Sequence, residues 1–184
     1  MQARSSPECQ APLAYAQANR RRFVAELKDV VRFPSVSAQP KHAQAVQQCA
    51  AWLASHLRQS GLERVKVIPT PRHPLLYAEW RHAPRRPTVL IYGYYDVQPP
   101  EPLHEWHTPP FAPTVRGNDL YGRGACDDKG QMLAHVKALE SYLRTTGRLP
   151  VNVKCLFEDH MGTPRSRFFS LELLPDQLSS RPLP

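Results

Sequence analysis

Apolar residues recur at helical spacing in three segments of the chain. The first helix is predicted to begin after Asn19, a residue type that caps helices, and to end before Pro34; its apolar positions are Phe23, Leu27, Val30 and Val31. The second helix is predicted to end at Gly61, and its apolar positions are Val46, Ala50, Leu53 and Leu57. The third is predicted to end near Gly147, and its apolar positions are Met132, Val136, Leu139 and Leu143.

Four other segments have the pattern of strands. Val65 and Val67 alternate with charged residues, and Leu75–Trp80 can form another strand. Residues 88–92 and 151–157 are rich in apolar and β-branched side chains, which predicts strands buried on both faces and a central place in a sheet for residues 88–92. These two strands, together with the loop and the third helix that connect them, make a βαβ unit. We therefore predict an α/β fold with a largely parallel central sheet and helices on both faces.

The remaining segments set the predicted domain limits. Residues 1–18 have no clear period and are predicted to be a flexible leader. Residues 98–130 are rich in proline and glycine, which predicts a long loop with at most a short strand near Leu120 and Tyr121; loops of this length inside a domain are usually functional. One domain over residues 19–158 is expected, followed by a Pro/Ser-rich divergent tail at residues 159–184.

Composition is that of a globular protein with many loops. Among 184 residues, 41% are hydrophobic and 22% are charged, and the 20 prolines are about twice the average share. No run approaches the ~18 apolar residues of a membrane span, and the first thirty residues lack the apolar core of a secretory signal. The cytoplasm is the expected compartment. The spacing of the four cysteines favours free thiols over a disulfide framework or a zinc ribbon: Cys9, Cys49, Cys126 and Cys155.

The net charge of +8 raises the possibility of nucleic-acid binding. The basic residues fall in short groups, at 20–22, 81–86 and 165–167, with no long run and no interleaved aromatic residues. This pattern favours a solvated surface, and nucleic acid is not an expected partner.

Carboxylates cluster where parallel strands are predicted to end. Asp96 follows the strand at 88–92, Asp127 and Asp128 precede the third helix, and Glu158 ends the strand at 151–157. Ligands of α/β sheets bind beyond the carboxyl ends of the strands, so this edge is the candidate site. Taken singly, each residue has a structural alternative: an Asx turn for Asp96, and an N-cap for Asp127 or Asp128.

Two long motifs and two short segments carry a family resemblance. They read Ile91-Tyr92-Gly93-Tyr94-Tyr95-Asp96-Val97-Gln98-Pro99, Leu120-Tyr121-Gly122-Arg123-Gly124-Ala125-Cys126-Asp127-Asp128-Lys129-Gly130, Pro34-Ser35-Val36-Ser37 and Leu149-Pro150-Val151-Asn152-Val153-Lys154. From about Asn19 to Glu158, the chain resembles the dinuclear zinc hydrolases, which include carnosinase-like cytosolic dipeptidases, aminoacylase, carboxypeptidase G and succinyl-diaminopimelate desuccinylase. The dipeptidase branch is the most similar.

The resemblance implies the amino-terminal part of a zinc-exopeptidase-like catalytic domain, without the lid domain through which the family often dimerises. It implies hydrolysis of dipeptides or N-acyl amino acids with two Zn²⁺ ions. Asp127 then takes the place of the ligand shared by both metals, and Asp96 the place of the catalytic-site aspartate that orients a zinc-bound histidine.

The chain departs from the family pattern at two places. Tyr94 stands at the position of the zinc-binding histidine, which puts this ligand in doubt because a neutral phenol is a poor replacement for imidazole. After Glu158 the family reads Glu-Gly-x-Glu-Glu, whereas Met161 and Gly162 stand here where the general base and a zinc ligand belong. We therefore expect a truncated and impaired enzyme. Our hypothesis for the abrupt change is a frame change, alternative splicing or a damaged gene model.

Two other function classes stay open: a non-catalytic product that binds a partner and, less favoured, a basic nucleic-acid-binding domain. Individual residues also have more than one interpretation. His104 and His107 have metal-binding spacing, but their proline-rich surroundings favour surface histidines. His160 could replace a missing ligand, although a solvated side chain is the favoured interpretation. Cys126 is expected to pack within its loop rather than to act as a nucleophile.

Overall fold

The structure, a computed structural model, describes residues 7–159. Four α-helices and six strands are present in this part of the chain. The helices are α1 (Pro7–Ala18), α2 (Arg20–Arg32), α3 (Ala43–Gln59) and α4 (Lys129–Thr146). The strands are β1 (Glu63–Ile68), β2 (Leu75–Trp80), β3 (Thr88–Tyr94), β4 (Thr114–Arg116), β5 (Asp119–Tyr121) and β6 (Asn152–Glu158). Short 3-10 helices occur at Pro40–His42 and Leu103–Glu105. None of the helices described is long and apolar enough to cross a membrane.

Four strands form one sheet in the order β1-β2-β6-β3, and β4 and β5 form a separate hairpin. The βαβ prediction is confirmed, because β3 and β6 pair in parallel with α4 between them in sequence. The other two pairings, β1 with β2 and β2 with β6, are antiparallel. The α/β fold is therefore confirmed, with a mixed sheet in place of the largely parallel one expected.

The core lies between one face of the sheet and helices α2, α3 and α4. Side chains that alternate along β2 and β6 join the apolar sides of these helices in a single cluster; those from the sheet are Leu76, Ala78, Trp80, Val153, Cys155 and Phe157. The opposite face carries a second, smaller cluster of Leu75, Tyr77 and Leu156. Within residues 7–159 the three core helices thus share one face, whereas helices on both faces were expected.

Strand β3 differs from its prediction. It was expected at the centre of the sheet with both faces buried, but it lies at an edge of the described sheet, and Val89, Leu90 and Tyr92 are 44%, 45% and 46% exposed. The run of apolar residues cannot reveal this, since an apolar strand has the same sequence whether or not a neighbour covers it.

Residues 7–18 do not form the flexible leader that the sequence predicted. They form α1, which lies against α4: the Cys9 thiol and the Tyr142 hydroxyl are 3.1 Å apart, and the Tyr15 hydroxyl donates to Glu140 at 3.2 Å. The segment contains Pro12 and has no apolar stripe, so these tertiary contacts stabilise a helix that local sequence does not specify.

An ionic network joins this helix layer around Glu140. Arg22 of α2 contacts Glu140 at 2.5 Å and Glu26 at 2.8 Å, and Lys137 contacts Glu140 at 2.8 Å. Burial raises the pKa of Glu140, but the hydrogen bonds from Arg22 and Lys137 outweigh it and leave the pKa below the ordinary value. The ionised carboxylate is therefore the form that stabilises the packing of α2 on α4.

Candidate active site

Parallel pairing brings the ends of β3 and β6 to the same edge of the sheet. Tyr94 pairs in register with Glu158, and the next backbone N–H, that of Tyr95, donates to the Glu158 carbonyl at 3.1 Å. The Glu158 carboxylate accepts a short hydrogen bond from the Tyr92 hydroxyl, and the Tyr92 and Tyr94 rings meet edge to face at 6.0 Å. Two of the sequence-predicted positions, Tyr94 and Glu158, are thus neighbours.

Asp128 reaches the same edge from the start of α4. Its Oδ2 accepts a hydrogen bond from the Tyr94 backbone N–H at 3.1 Å. Gly93 permits this approach, because a Cβ at that position would lie 2.7 Å from the same oxygen. Burial and the neighbouring Asp127 raise the pKa of Asp128. Although Asp128 occupies the N-cap position of α4, its side chain makes no capping hydrogen bond.

Asp127, the expected metal ligand, precedes Asp128 through a cis peptide bond and is exposed. Close backbone contacts fix the loop that carries Asp127. Gly124 has a positive φ of 82°, and a Cβ on Gly130 would lie 2.0 Å from the Ala125 carbonyl oxygen. Only glycine therefore fits at Gly130 without a shift of the backbone.

Lys129 anchors this loop in the core. Its side chain is fully buried, and its ammonium donates to the carbonyls of Val30 at 3.0 Å and Phe33 at 2.8 Å. These carbonyls lie at the end of α2, where helix carbonyls lack partners within the helix. Burial lowers the pKa of Lys129. The start of α4 is thereby fixed to the end of α2.

Asp96, the expected catalytic-site aspartate, is only 3% exposed and lies beside the segment that joins α2 to the first 3-10 helix. Ser37 donates to Asp96 Oδ2 at 2.5 Å. Ser35 receives a hydrogen bond from the Val97 N–H at 2.9 Å and donates through its hydroxyl to the Tyr95 carbonyl at 2.8 Å. This serine segment fixes the backbone on both sides of Asp96.

Sequence analysis missed three contributors to this region: Ser37, His73 and Asp159. His73 Nε2 lies 3.2 Å from the Ser37 carbonyl oxygen, and burial together with the charge of Asp96 raises the pKa of Asp159. Ser37 and Asp96 are 59 positions apart, so no local spacing signals their contact. The short match at residues 34–37 and the long motif at residues 91–99 were the available clue.

The described residues do not fit a two-metal centre. Within residues 7–159 no three His, Cys, Asp or Glu side chains come together in a group that could hold a metal ion. Tyr94 offers a phenol at the implied histidine position, and Asp96 and Asp128 receive hydrogen bonds from Ser37 and from the Tyr94 backbone. The described part of the site therefore supplies acidic side chains without a complete ligand set.

The other candidates take no part in this arrangement. His104 and His107 are exposed, which agrees with their interpretation as surface residues. Cys126 is exposed as well, so it is not the packed loop residue that was expected. His160, Met161 and Gly162 lie outside the described residues.

Comparison with known sequences shows what the chain is similar to. Residues 90–159 match the model of Peptidase family M20/M25/M40. The Beta-Ala-His dipeptidase of Homo sapiens is 33% identical over 179 residues, which cover 91% of this chain and 35% of that protein. The Cys-Gly metallodipeptidase of Schizosaccharomyces pombe is 32% identical over 146 residues, which cover 74% of this chain and 31% of that protein. The chain thus spans about a third of the length of these relatives.

Solved structures agree with this similarity. Human carnosine dipeptidase 1 superposes with a TM-score of 0.80 at 30% identity, covering 90% of this chain and 40% of that one. The dipeptidase Dug1p of Saccharomyces cerevisiae superposes with a TM-score of 0.73 at 26% identity, covering 81% of this chain and 34% of that one. The α/β fold described above is that of the corresponding part of these dipeptidases.

Proposed function

We propose that this chain, which belongs to Peptidase family M20/M25/M40 over part of a catalytic domain, carries part of the site of a metal-dependent hydrolase of dipeptides or N-acyl amino acids. The substrate class follows from the names of the relatives, Beta-Ala-His dipeptidase and Cys-Gly metallodipeptidase. Zinc is the metal of this proposal. Asp127 is its shared ligand, and Asp96 its positioning residue.

The observation that carries the proposal is the convergence of β3, β6 and the start of α4 on one edge. Asp128 binds the Tyr94 N–H at 3.1 Å, and Tyr94 pairs with Glu158 across the two strands. The same edge is where an α/β sheet binds its ligands. Because Tyr94 supplies a phenol there, the unmodified chain is expected to be impaired as a dipeptidase.

The proposed compartment is the cytoplasm. Cys49 and Cys155 are buried as thiols in the structure. Free thiols persist in a reducing compartment, which supports this assignment.

The experiment joins residues 1–158 of this chain to the part of the human Beta-Ala-His dipeptidase that follows the residue aligned with Glu158. Hydrolysis of β-Ala-His and Cys-Gly is then measured with added zinc for four proteins: the joined protein itself and its Tyr94→His, Tyr92→His and Tyr94→His/Asp127→Ala variants. Tyr92→His is the matched control, since it makes the same substitution on the same strand.

Tyr94→His is expected to raise turnover by on the order of 100-fold or more, because members of one catalytic unit act together. The Tyr92→His control is expected to leave turnover low, and adding Asp127→Ala to Tyr94→His is expected to abolish it. An inactive Tyr94→His protein that is folded would contradict the proposed function. Equal turnover with Tyr94 and with histidine would contradict the role given to this position.

A non-catalytic, partner-binding function is the second candidate. The exposed apolar side chains of Val89, Leu90 and Tyr92 on β3 favour it.

A further inference from the structure

A cavity lies at the end of the sheet opposite the candidate active site. Its volume is about 490 Å³, which is within the usual range of ligand pockets. Its walls come from the turn between β2 and β3 and from the turn between α4 and β6, the segments that precede the paired strands β3 and β6. The start of α1 adds Glu8. The cavity is therefore separate from the edge where Tyr94 and Glu158 meet.

Arg86 and Arg148 give this cavity its positive charge. Each comes from one of the two turns, and both residues are exposed. Among the residues that the structure describes, neither guanidinium forms an ion pair, whereas His82, which also lines the cavity, is paired with Glu63 at 2.9 Å. The two guanidinium groups are therefore available to bind an anion.

Side-chain hydrogen bonds fix the backbone of both turns. The Asn152 amide accepts from the Ala83 N–H at 3.0 Å and donates to the carbonyls of Ala83 at 2.9 Å and Arg86 at 3.0 Å. In the other turn, the Thr146 hydroxyl donates to the Arg148 carbonyl at 2.7 Å. Both arginines thus project from backbone that is already ordered, which lowers the entropic cost of binding a ligand between them.

The rest of the lining indicates the size and the chemistry of the ligand. Ala83 and Leu149 line the cavity and are only 7% and 4% exposed, so its buried part is apolar. A water molecule takes about 30 Å³ of liquid volume, so the cavity has room for an organic body beside an anionic group. Glu8 carries the acidic group of the lining; its carboxylate repels a second anion and accepts hydrogen bonds from hydroxyl groups.

We propose that this cavity binds a small sugar phosphate. Arg86 and Arg148 bind the phosphate, the sugar lies against Ala83 and Leu149, and Glu8 accepts hydrogen bonds from its hydroxyl groups. A phosphate ester has three acceptor oxygens and a charge near −2, so two guanidinium groups can bind different oxygens of one phosphate, whereas one guanidinium suffices for a carboxylate. This site does not depend on the proposed hydrolase function.

The test is isothermal titration calorimetry of the full chain with ribose 5-phosphate, and separately with ribose and with inorganic phosphate. The wild-type protein is compared with Arg86→Gln, Arg148→Gln and Arg21→Gln. Arg21 is the matched control, because it is an exposed arginine of α2 outside the lining of the cavity and loses the same charge. Circular dichroism checks that each variant keeps its fold.

The wild-type chain is expected to bind the sugar phosphate with a dissociation constant below about 1 mM and roughly 10-fold more tightly than ribose or inorganic phosphate. Arg86→Gln and Arg148→Gln are each expected to weaken binding by roughly fivefold or more, and Arg21→Gln by less than about twofold. No binding by the wild-type chain, or equal affinity for inorganic phosphate, would overturn the proposal. Equal losses in all three variants would do the same, because they would show a general effect of charge.

A Glu8→Gln variant tests the orientation of the ligand. Removal of this carboxylate is expected to strengthen the binding of inorganic phosphate by about twofold or more, because an opposing charge is lost. It is expected to reduce the preference for the sugar phosphate over inorganic phosphate, because a carboxylate is a stronger acceptor than an amide. An unchanged preference would contradict the place given to the sugar hydroxyl groups. A single-stranded oligonucleotide that displaces the sugar phosphate at lower concentration would overturn the proposal in favour of nucleic-acid binding.

Discussion

The Asp128 carboxylate accepts a hydrogen bond from the backbone N–H of Tyr94 at 3.1 Å, so the start of α4 closes the end of β3. This contact joins the end of β3 to the acidic loop, the segment that carries Asp127 and Asp128. It also explains why Gly93 precedes Tyr94, since a side chain there would collide with the carboxylate.

The pH dependence of stability tests the environment of Asp128. Burial raises its pKa in the folded state, so the folded protein binds this proton more tightly than the unfolded chain does. The contribution to the free energy of unfolding therefore falls as pH rises from 3.8 through the folded pKa. Asp128→Asn is expected to remove this decline in urea unfolding at several pH values. If Asp128→Asn leaves the pH dependence of the unfolding free energy unchanged, the raised pKa of Asp128 is contradicted.

The Glu140 network predicts a pH effect of opposite sign. Its folded-state pKa lies below 4.5, so its stabilisation is present above that pH and is lost as pH falls through the folded pKa. Glu140→Gln is expected to lower the free energy of unfolding at pH 7 by about 1–3 kcal/mol, because Arg22 and Lys137 lose a charged partner. Chemical denaturation measures the loss.

The exposed pair Arg32 and Asp29 provides the control for that substitution. Asp29→Asn is expected to change the free energy of unfolding by less than ~1 kcal/mol, since exposed ion pairs contribute little. Equal losses of unfolding free energy in Glu140→Gln and Asp29→Asn would show that the buried network stabilises the fold no more than an exposed ion pair does.

Gly130→Ala tests the packing beneath the acidic loop. The new Cβ would lie 2.0 Å from the Ala125 carbonyl oxygen, so the loop or the helix start must move, and a loss of roughly 2 kcal/mol or more is expected. Gly117→Ala is the control, because no atom lies within 4 Å of its added Cβ and only the positive φ of 61° opposes it. Its expected loss is about 1–2 kcal/mol. Thermal unfolding distinguishes the variants, and a smaller loss at Gly130 than at Gly117 would contradict the contact.

Local pattern was sufficient for the elements that form the βαβ unit. The apolar stripe from Met132 to Leu143 specifies α4, and the runs at 88–92 and 151–157 specify the two strands that it connects. Their carboxyl ends then had to meet, which is why Tyr94 and Glu158 could be placed together from sequence.

Features that depend on distant contacts could not be predicted. Helix α1 has no apolar stripe and is stabilised by contacts of Cys9 and Tyr15 with α4. Strand β3 has the composition of a buried strand but lies at an edge of the described sheet. The hydrogen bond between Ser37 and Asp96 spans 59 positions, a separation at which periodicity carries no information.

Zinc content tests the central claim most directly. The purified full chain is incubated with zinc, freed of unbound metal and measured by mass spectrometry, beside an Asp127→Ala variant. Because Tyr94 replaces the implied histidine and residues 7–159 contain no group of three potential ligands, both proteins are expected to retain well below one zinc ion per chain. Two zinc ions retained by the unmodified chain and lost in Asp127→Ala would contradict this account.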